Sequence, residues 1–355
     1  MEPDAAGVYI GAVPAAWPAS WESMIITTHA FARAGLVGNP SDGYYGKTIA
    51  FLIRNFRATV QLWESPHFEV LPSYGDLGRF VSVAEFLRDA RLHGYYGGMR
   101  LIKATVKRFH DYCRQQQLQL HDRNFTISFA TDIPRLVGMA GSSAIITATM
   151  RALMQFYNVA IPRHLLPTLI LSVEKDELGI SAGLQDRVIQ VYEGFVYMDF
   201  DREHLERNGY GIYEPLTPPA MPPLYVAYDP ERAEVSDVPH RNLRELFNRG
   251  DPQVLSAMRK FRDLTDRGRA ALMSGDWQTL GEVMNANFDL RRTIMNIAPE
   301  NLRMVEVARA AGASAKFCGS GGAICGLVED GRPYERLVKA LGEIRCTVLR
   351  PRVYE

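Results

Sequence analysis

Two hydroxyls stand side by side at Ser142 and Ser143, where the turn-rich stretch IPRLVGMAG gives way to the apolar run AIITATMRALMQF. That change of composition marks a turn opening a helix. The first amides of a helix have no intrahelical partner and carry about half a positive charge. Glycines just before them let an anion approach the backbone closely. GMAGSSA (Gly138–Ala144) therefore reads as a phosphate cradle, its hydroxyls suited to phosphate oxygen or to a Mg2+ held by that phosphate. An ordinary N-cap serine after a flexible turn is the competing reading.

Carboxylates follow downstream. In EKDELGISAGLQDRV, Glu174 and Asp186 flank a glycine-bearing loop. One could complete a Mg2+ site, and the other could orient or deprotonate an attacking hydroxyl. Taken singly, Glu174 also fits a solvated helix face beside Lys175 and Asp176, and Asp186 fits a cap or a partner for Arg187. A third stretch, KFCGSGGAICG (Lys316–Gly326), is either a lid over a nucleotide's phosphates or a tight turn after a strand. Ile324 stands where G-x-G-x-x-G needs its last glycine, so a dinucleotide fingerprint is not supported. SDGYYGKT (Ser41–Thr48) approaches a P-loop, but Asp42 would sit among phosphate oxygens and Tyr44 and Tyr45 would crowd bare backbone.

The elements that must position these residues are mixed. Strand-like bias runs from Met24, through Thr48–Glu64 and HFEVLP, and again over Asn124–Pro134. Phe80–Cys113 is mostly helical, interrupted at HGYYGG; Pro162–Glu177 and Asp186–Tyr192 are helical, and GFVYMDF is a strand. The proline-rich segment Pro215–Leu224 is the best boundary. Beyond it come a strand at Tyr225–Tyr228, long amphipathic helices to about Ala311, strand-like AKFCG, a glycine-rich stretch, a helix and a closing strand near Cys346–Arg350. Without regular βαβ alternation this is an α+β chain with two sandwiches. The expected division is an extension over 1–24, an N-terminal domain over 25–214 and a C-terminal domain over 215–355.

The chain has 355 residues, with 40 Lys+Arg against 40 Asp+Glu, a balance that argues against a nucleic-acid partner. Its 4 cysteines lack metal-ligand spacing and read as reduced core thiols, and its 8 histidines form no zinc pattern. No apolar run reaches the ~18 residues of a membrane span, and the acidic start (Glu2, Asp4) is unlike a signal peptide. A cytoplasmic protein, away from membranes, is expected.

Three motifs in order resemble the GHMP kinase superfamily. FARAGLVGNPSDGYYG (Phe31–Gly46) is similar to its P-G-R-[VI]-x-[LI]-x-G-E-H-x-D-Y segment, PRLVGMAGSSA (Pro134–Ala144) to P-x-x-x-G-L-x-S-S-A, and Lys316–Ala323 to K-x-[ST]-G-[AS]-G-G-G. Within the superfamily, GNPSD, GYYGG, IPR…G…GSSAI, GLQDRV and SGGA resemble the plant-type glucuronokinases. The resemblance implies the GHMP kinase fold: a sandwich like ribosomal protein S5 domain 2, then a ferredoxin-like α/β sandwich. It also implies ATP and Mg2+, a small sugar acid as substrate, and transfer of phosphate to the anomeric hydroxyl of D-glucuronate. A heptose-phosphate, galacturonate or galactose kinase, or a sugar sensor without turnover, are the alternatives. A monomer or homodimer would suffice.

By position, the resemblance implies Arg33 and Asp186 as catalytic residues and Ser143 and Glu174 as Mg2+ ligands. Pro134, Gly138, Met139, Ala140, Gly141, Ser142, Ser143, Ala144, Gly319, Ser320 and Gly321 would hold the nucleotide. Asp42 matches a sugar-binding aspartate, and Asn39, Tyr44, Tyr45 and Gly321 would join it; Asn39-Pro40 replaces the superfamily's Glu-His pair, and Ala323 its last glycine. A uronate carboxylate calls for a planar, bidentate cation, so at least one of Arg187, Arg291 and Arg292 is expected to grip it.

Overall fold

The computed structural model describes residues 25–73, 97–231 and 237–355. The extension expected over 1–24 and most of Phe80–Gly97 lie outside the described residues.

The chain opens with two long strands, β1 (Ile26–Val37) and β2 (Lys47–Glu64), paired antiparallel around the Gly38–Gly46 turn. β2 is rich in β-branched and aromatic residues and buries the alternating set Val60 and Leu62. It serves two neighbours on its other edge. β3 (Glu69–Val70) lies parallel to β4 (Phe125–Thr131), which pairs with Ala58–Glu64 of β2. Between β3 and β4 comes the helix α1 (Gly98–Gln115), and after β4 the helices α2 (Gly141–Phe156), α3 (Leu166–Ser172) and α4 (Gln185–Tyr192). β5 (Phe195–Asp199) returns to Lys47–Phe51 of β2, and after α5 (Arg202–Asn208) the edge strand β6 (Ile212–Leu216) closes the six-stranded sheet. α2 packs across β1 and β2.

The β1–β2 pairing jumps from Phe31 opposite Arg57 to Ala32 opposite Ile53. Such an irregularity re-aims the residues beyond it. The surplus on β2 is held by the chain's C-terminal end: Arg54 N–H donates to Arg352 O at 2.7 Å and Asn55 Nδ2 to Arg350 O at 3.1 Å. Arg33 follows directly after the jump.

A second sheet, β10-β7-β9-β8, is built from β7 (Leu224–Tyr228), β8 (Lys316–Phe317), β9 (Ala323–Leu327) and β10 (Thr347–Leu349). Its helices are α6 (Asp237–Asn248), α7 (Pro252–Ser274), α8 (Trp277–Arg292), α9 (Pro299–Ala310) and α10 (Arg332–Gly342). α7 starts on an Asp251 cap that accepts from Val254 N–H at 3.0 Å and ends at Gly275 with φ 73°, the start and stop chemistry of a self-contained helix. One apolar core joins both sheets, because Cys318, Cys325 and Leu327 pack in the same cluster as Leu36 and Phe51.

The two-sheet α+β reading holds. The sheets change over between Leu216 and Leu224, within the proline-rich stretch. Some details differ from sequence expectation, among them the helix α5, which the sequence reading does not anticipate. Strand β6 reaches into that stretch, since Pro215 is tolerated on a sheet edge. β9 arises from the glycine-rich segment, and α3 widens into a π-turn over Val173–Glu177. Among the described residues no helix is long and apolar enough to cross a membrane.

The sheets are locked where two glycine turns touch. A Cβ on Gly138, itself at φ +72°, would lie 2.8 Å from Gly321 O, and one on Gly319 would collide with Gly138 O and sit 2.9 Å from Arg33 Nη1. Backbone therefore meets backbone. Gly319→Ala should lower stability by about 1–3 kcal/mol, the cost of overpacking a site that cannot give way; urea unfolding of the purified variant checks this, and an unchanged midpoint contradicts it.

Candidate active site

Backbone geometry shapes the Gly138 turn for an anion. Leu136, Gly138 and Ala140 have φ of 54°, 72° and 63°, while Val137 and Met139 between them do not share the left-handed region. Alternation of that kind turns successive N–H groups toward one concavity, a nest suited to phosphate oxygens. Left-handed backbone at Leu136 and Ala140 is strained for residues with side chains, so the surroundings must impose it. Ala140 is fixed from outside: its carbonyl accepts from Gln190 Nε2 at 3.0 Å and Ser143 Oγ at 3.1 Å. α2 then begins with no acidic residue of its own in its first turn, so its positive end is left to groups brought from other elements.

Arg33 closes the far side. Its Nε donates to Asp186 Oδ1 at 2.6 Å, and its Nη1 donates to Gly138 O at 2.6 Å and Cys318 O at 3.2 Å. One guanidinium, 5 % exposed, thus ties β1 to the cradle, to α4 and to the second glycine turn. Burial acting on Asp186 favours its neutral form, but Arg33 and Arg187 outweigh it and hold the carboxyl below the usual carboxylate range.

Asp42 lies in the short 3-10 turn Ser41–Tyr44, its carboxylate directly over Gly183. Burial and the neighbouring Asp186 charge push it up to about 6. Gln185 links the pair: its backbone N–H is bonded to Asp42 and its side chain to Asp186, while Oε1 is buried without a hydrogen-bond partner. Gln185 was not singled out in the sequence, although GLQDR contains it. A polar residue at the first position of a helix gives no sign of which way it points.

Of the two hydroxyls, Ser142 faces Glu174, donating to Oε1 at 2.8 Å. Ser143 is fully buried and turned onto Ala140 O. Of the pair expected beside Glu174, it is therefore Ser142, not Ser143, whose hydroxyl touches that carboxylate. Glu174 Oε2 is bound by Arg187 Nη2, an ion pair almost wholly removed from water. Arg187 also donates to Gly183 O at 2.8 Å and lies 3.4 Å from Asp186 Oδ2. Arg291 spends its two terminal nitrogens on Gly319 O at 2.7 Å and Ser320 O at 2.9 Å.

Both arginines thus donate from their terminal nitrogens to protein oxygens, while Arg187 Nε is buried without a hydrogen-bond partner. Arg292 is exposed at the end of α8. Met139 and Ala144 are buried, Pro134 and Gly141 are half-buried at the rim, and Ser320 and Gly321 face the Gly138 turn. Asn39 packs on Gly35, its Oδ1 without a partner. Tyr44 packs against Phe247 with the rings tilted, and Tyr45 lies under Arg202.

The donor set fits a Mg2+ that keeps most of its ligands from elsewhere. Among the described residues no group of three or more His, Cys, Asp or Glu side chains could hold a metal alone. Ser142 Oγ and Glu174 Oε1 face one another beside the nest, so a hard cation could be shared with phosphate oxygens.

Residues 100–194 match the GHMP kinases N terminal domain, and residues 269–344 match the GHMP kinases C terminal family. Glucuronokinase 1 of Arabidopsis thaliana is 43 % identical over 323 residues, covering 88 % of each chain. Probable glucuronokinase 2 of the same plant is 45 % identical over 316 residues, covering 87 % of this chain and 86 % of that protein. In fold, the chain is similar to Lactococcus lactis galactokinase complexed with galactose, with a TM-score of 0.73, 15 % identity and coverage of 93 % and 94 %. Two glycine turns, an arginine between them and long, high-identity relatives lead to one conclusion: the chain belongs to the GHMP kinase family.

Proposed function

We propose that the protein transfers the γ-phosphoryl group of ATP to the anomeric hydroxyl of D-glucuronate, giving glucuronate 1-phosphate and ADP. The plant relatives named as glucuronokinases, similar over nearly nine-tenths of the chain, support the substrate. The observation that carries the chemistry is the meeting of Arg33, the Gly138 turn, Asp186 and the Gly319 turn at one point. The reading includes a cytoplasmic setting, where ATP is supplied, a 25–214/215–355 domain division, and a monomer or homodimer.

In this reading the triphosphate lies in the nest, on the amides of Gly138–Ser143, with Gly319–Gly321 opposite. The transferring group develops little bonding in its transition state, so catalysis is chiefly positioning and charge neutralisation. Arg33 supplies a fixed positive charge that needs no reorganisation, because its other donors are already committed. Asp186, ionised through the neutral range, orients the attacking hydroxyl. Asp42 is the more basic of the two carboxylates and accepts from the sugar beside it. Mg2+, when bound with the nucleotide, supplies charge neutralisation at the terminal phosphates, and Ser142 and Glu174 are the residues that would hold it.

Three outcomes are expected. Asp186→Asn should lower kcat on glucuronate by roughly 10²- to 10⁴-fold while the protein stays folded, as read by coupled ADP release and circular dichroism; near wild-type turnover would remove Asp186 from the reaction. The profile of kcat/KM against pH should fall on the acid side of about 6, where Asp42 protonates and its charge is lost to the sugar. Asp42→Asn should abolish that limb, and a limb unchanged in the variant would assign it to another group. Ser142→Ala should raise the Mg2+ concentration for half-maximal rate several-fold or more, about 1 kcal/mol or above. Ser143→Ala should leave that requirement alone, and the reverse pattern would restore Ser143 as the ligand.

A further inference from the structure

With the terminal nitrogens of Arg187 and Arg291 already donating to protein acceptors, a uronate carboxylate is better served by a cation from another element. Arg292 is one step along the helix from Arg291 and points roughly 100° away from it. The substrate-facing turn Ser41–Tyr45 offers a better answer, because three arginines lie on it. Arg262 Nη1 donates to Tyr45 O at 3.0 Å, and its Nη2 lies 3.9 Å from Asp199. Arg202 covers the Tyr45 ring and pairs with Glu206 at 2.8 Å. Arg244, on α6, donates from Nη1 to Gly43 O at 2.7 Å and lies 4.6 Å above the Tyr44 ring. It is exposed, and it forms no ion pair with an acid among the described residues.

The seat of Arg244 is built. Its plane is fixed on one face by Tyr44, which is 5 % exposed, and on one edge by the Gly43 carbonyl. Gly43 leaves room for it, since a Cβ there would come 3.0 Å from Nη2. Beyond burial, the charges of Arg244, Asp42 and Arg291 act on the Tyr44 hydroxyl, so the cation on the turn and the sugar-facing carboxylate share one neighbour. A guanidinium so fixed has already lost its rotamer freedom and presents its remaining N–H donors as a fork, the geometry that matches a carboxylate.

We infer that Arg244 is the specificity residue of this site, binding the C6 carboxylate of a uronic acid whose C1 hydroxyl lies at Asp42 and Asp186. The inference rests on the sugar-acid kinase reading and names the residue that makes it selective. Arg244 makes no contact with Arg33, Asp186 or the nest, so its interaction with substrate is the same before and during transfer. Uniform binding of that kind appears in KM rather than in kcat.

Initial rates on D-glucuronate and on D-glucose, which differ only at C6, test it with wild-type protein, Arg244→Gln and Arg244→Lys. Arg244→Gln should raise KM for glucuronate roughly 10- to 100-fold, with kcat changed less than about threefold. The glucuronate-over-glucose ratio of kcat/KM should collapse by the same factor, and Arg244→Lys should recover part of it by keeping the charge without the fork. Equal losses on both sugars would mean that Arg244 only braces the Gly43 turn, and an unchanged glucuronate KM would remove it from the site; either overturns the inference while leaving the kinase reading intact. A wild-type protein that phosphorylates glucose but no uronate would overturn the substrate reading itself, and this inference with it.

Discussion

A guanidinium withdrawn from water must find acceptors for its donors, and Arg33 finds them only because three distant segments end where it lies. Asp186 takes Nε, and the carbonyls of Gly138 and Cys318 take Nη1. Those contacts span from β1 to α4, to the turn before α2 and to the turn between β8 and β9. Removing one partner of such a buried group is far more costly than the pair is favourable, so the arrangement is held as a unit. The site is rigid because the fold is joined there.

From that constraint the rest of the chemistry follows. The two glycine turns can approach only without side chains, and their approach puts the nest beside Arg33. A second buried pair, Glu174 with Arg187, sits behind the first and shares Asp186 with it at 3.4 Å. The result is an alternation of charges: Glu174, Arg187, Asp186, Arg33. It leaves one oxygen of Glu174 toward the nest with Ser142 and keeps Asp186 ionised. Asp42 has no ion pair with a guanidinium among the described residues, and burial and the Asp186 charge outweigh Arg33, the Gln185 amide and Arg187, so it moves the opposite way. Neighbouring carboxylates are pushed apart by environment alone.

Much of this was legible in the order of residues. The turn before α2 announced itself by glycines followed by hydroxyls and an apolar run, a local signal with a local cause. Strand β2 showed its β-branched and aromatic bias, and Pro215–Leu224 marked the passage between sheets. What the sequence could not show was which of several alike groups turns inward. Ser142 and Ser143 are adjacent and chemically identical, and only the packing of α2 on β1 decides that Ser143 is buried. Arg187 and Arg291 looked available for a substrate because their acceptors, Glu174 and the Gly319–Ser320 carbonyls, lie on other elements. Gln185 lies inside GLQDRV but its type does not say which way it turns, and Arg244 belongs to no motif and acts on a loop remote in sequence.

The central claim is spatial: a triphosphate rests in the nest at Gly138–Ser143 with its last phosphorus between Arg33 and Asp186. A crystal structure of the protein with a non-hydrolysable ATP analogue, Mg2+ and D-glucuronate measures it most directly. The account predicts phosphate oxygens on the amides of the first turn of α2 and the sugar's C1 hydroxyl against Asp186, in line with the terminal phosphorus. A nucleotide bound away from that turn, or a sugar separated from it by the Arg33–Asp186 pair, would contradict the account.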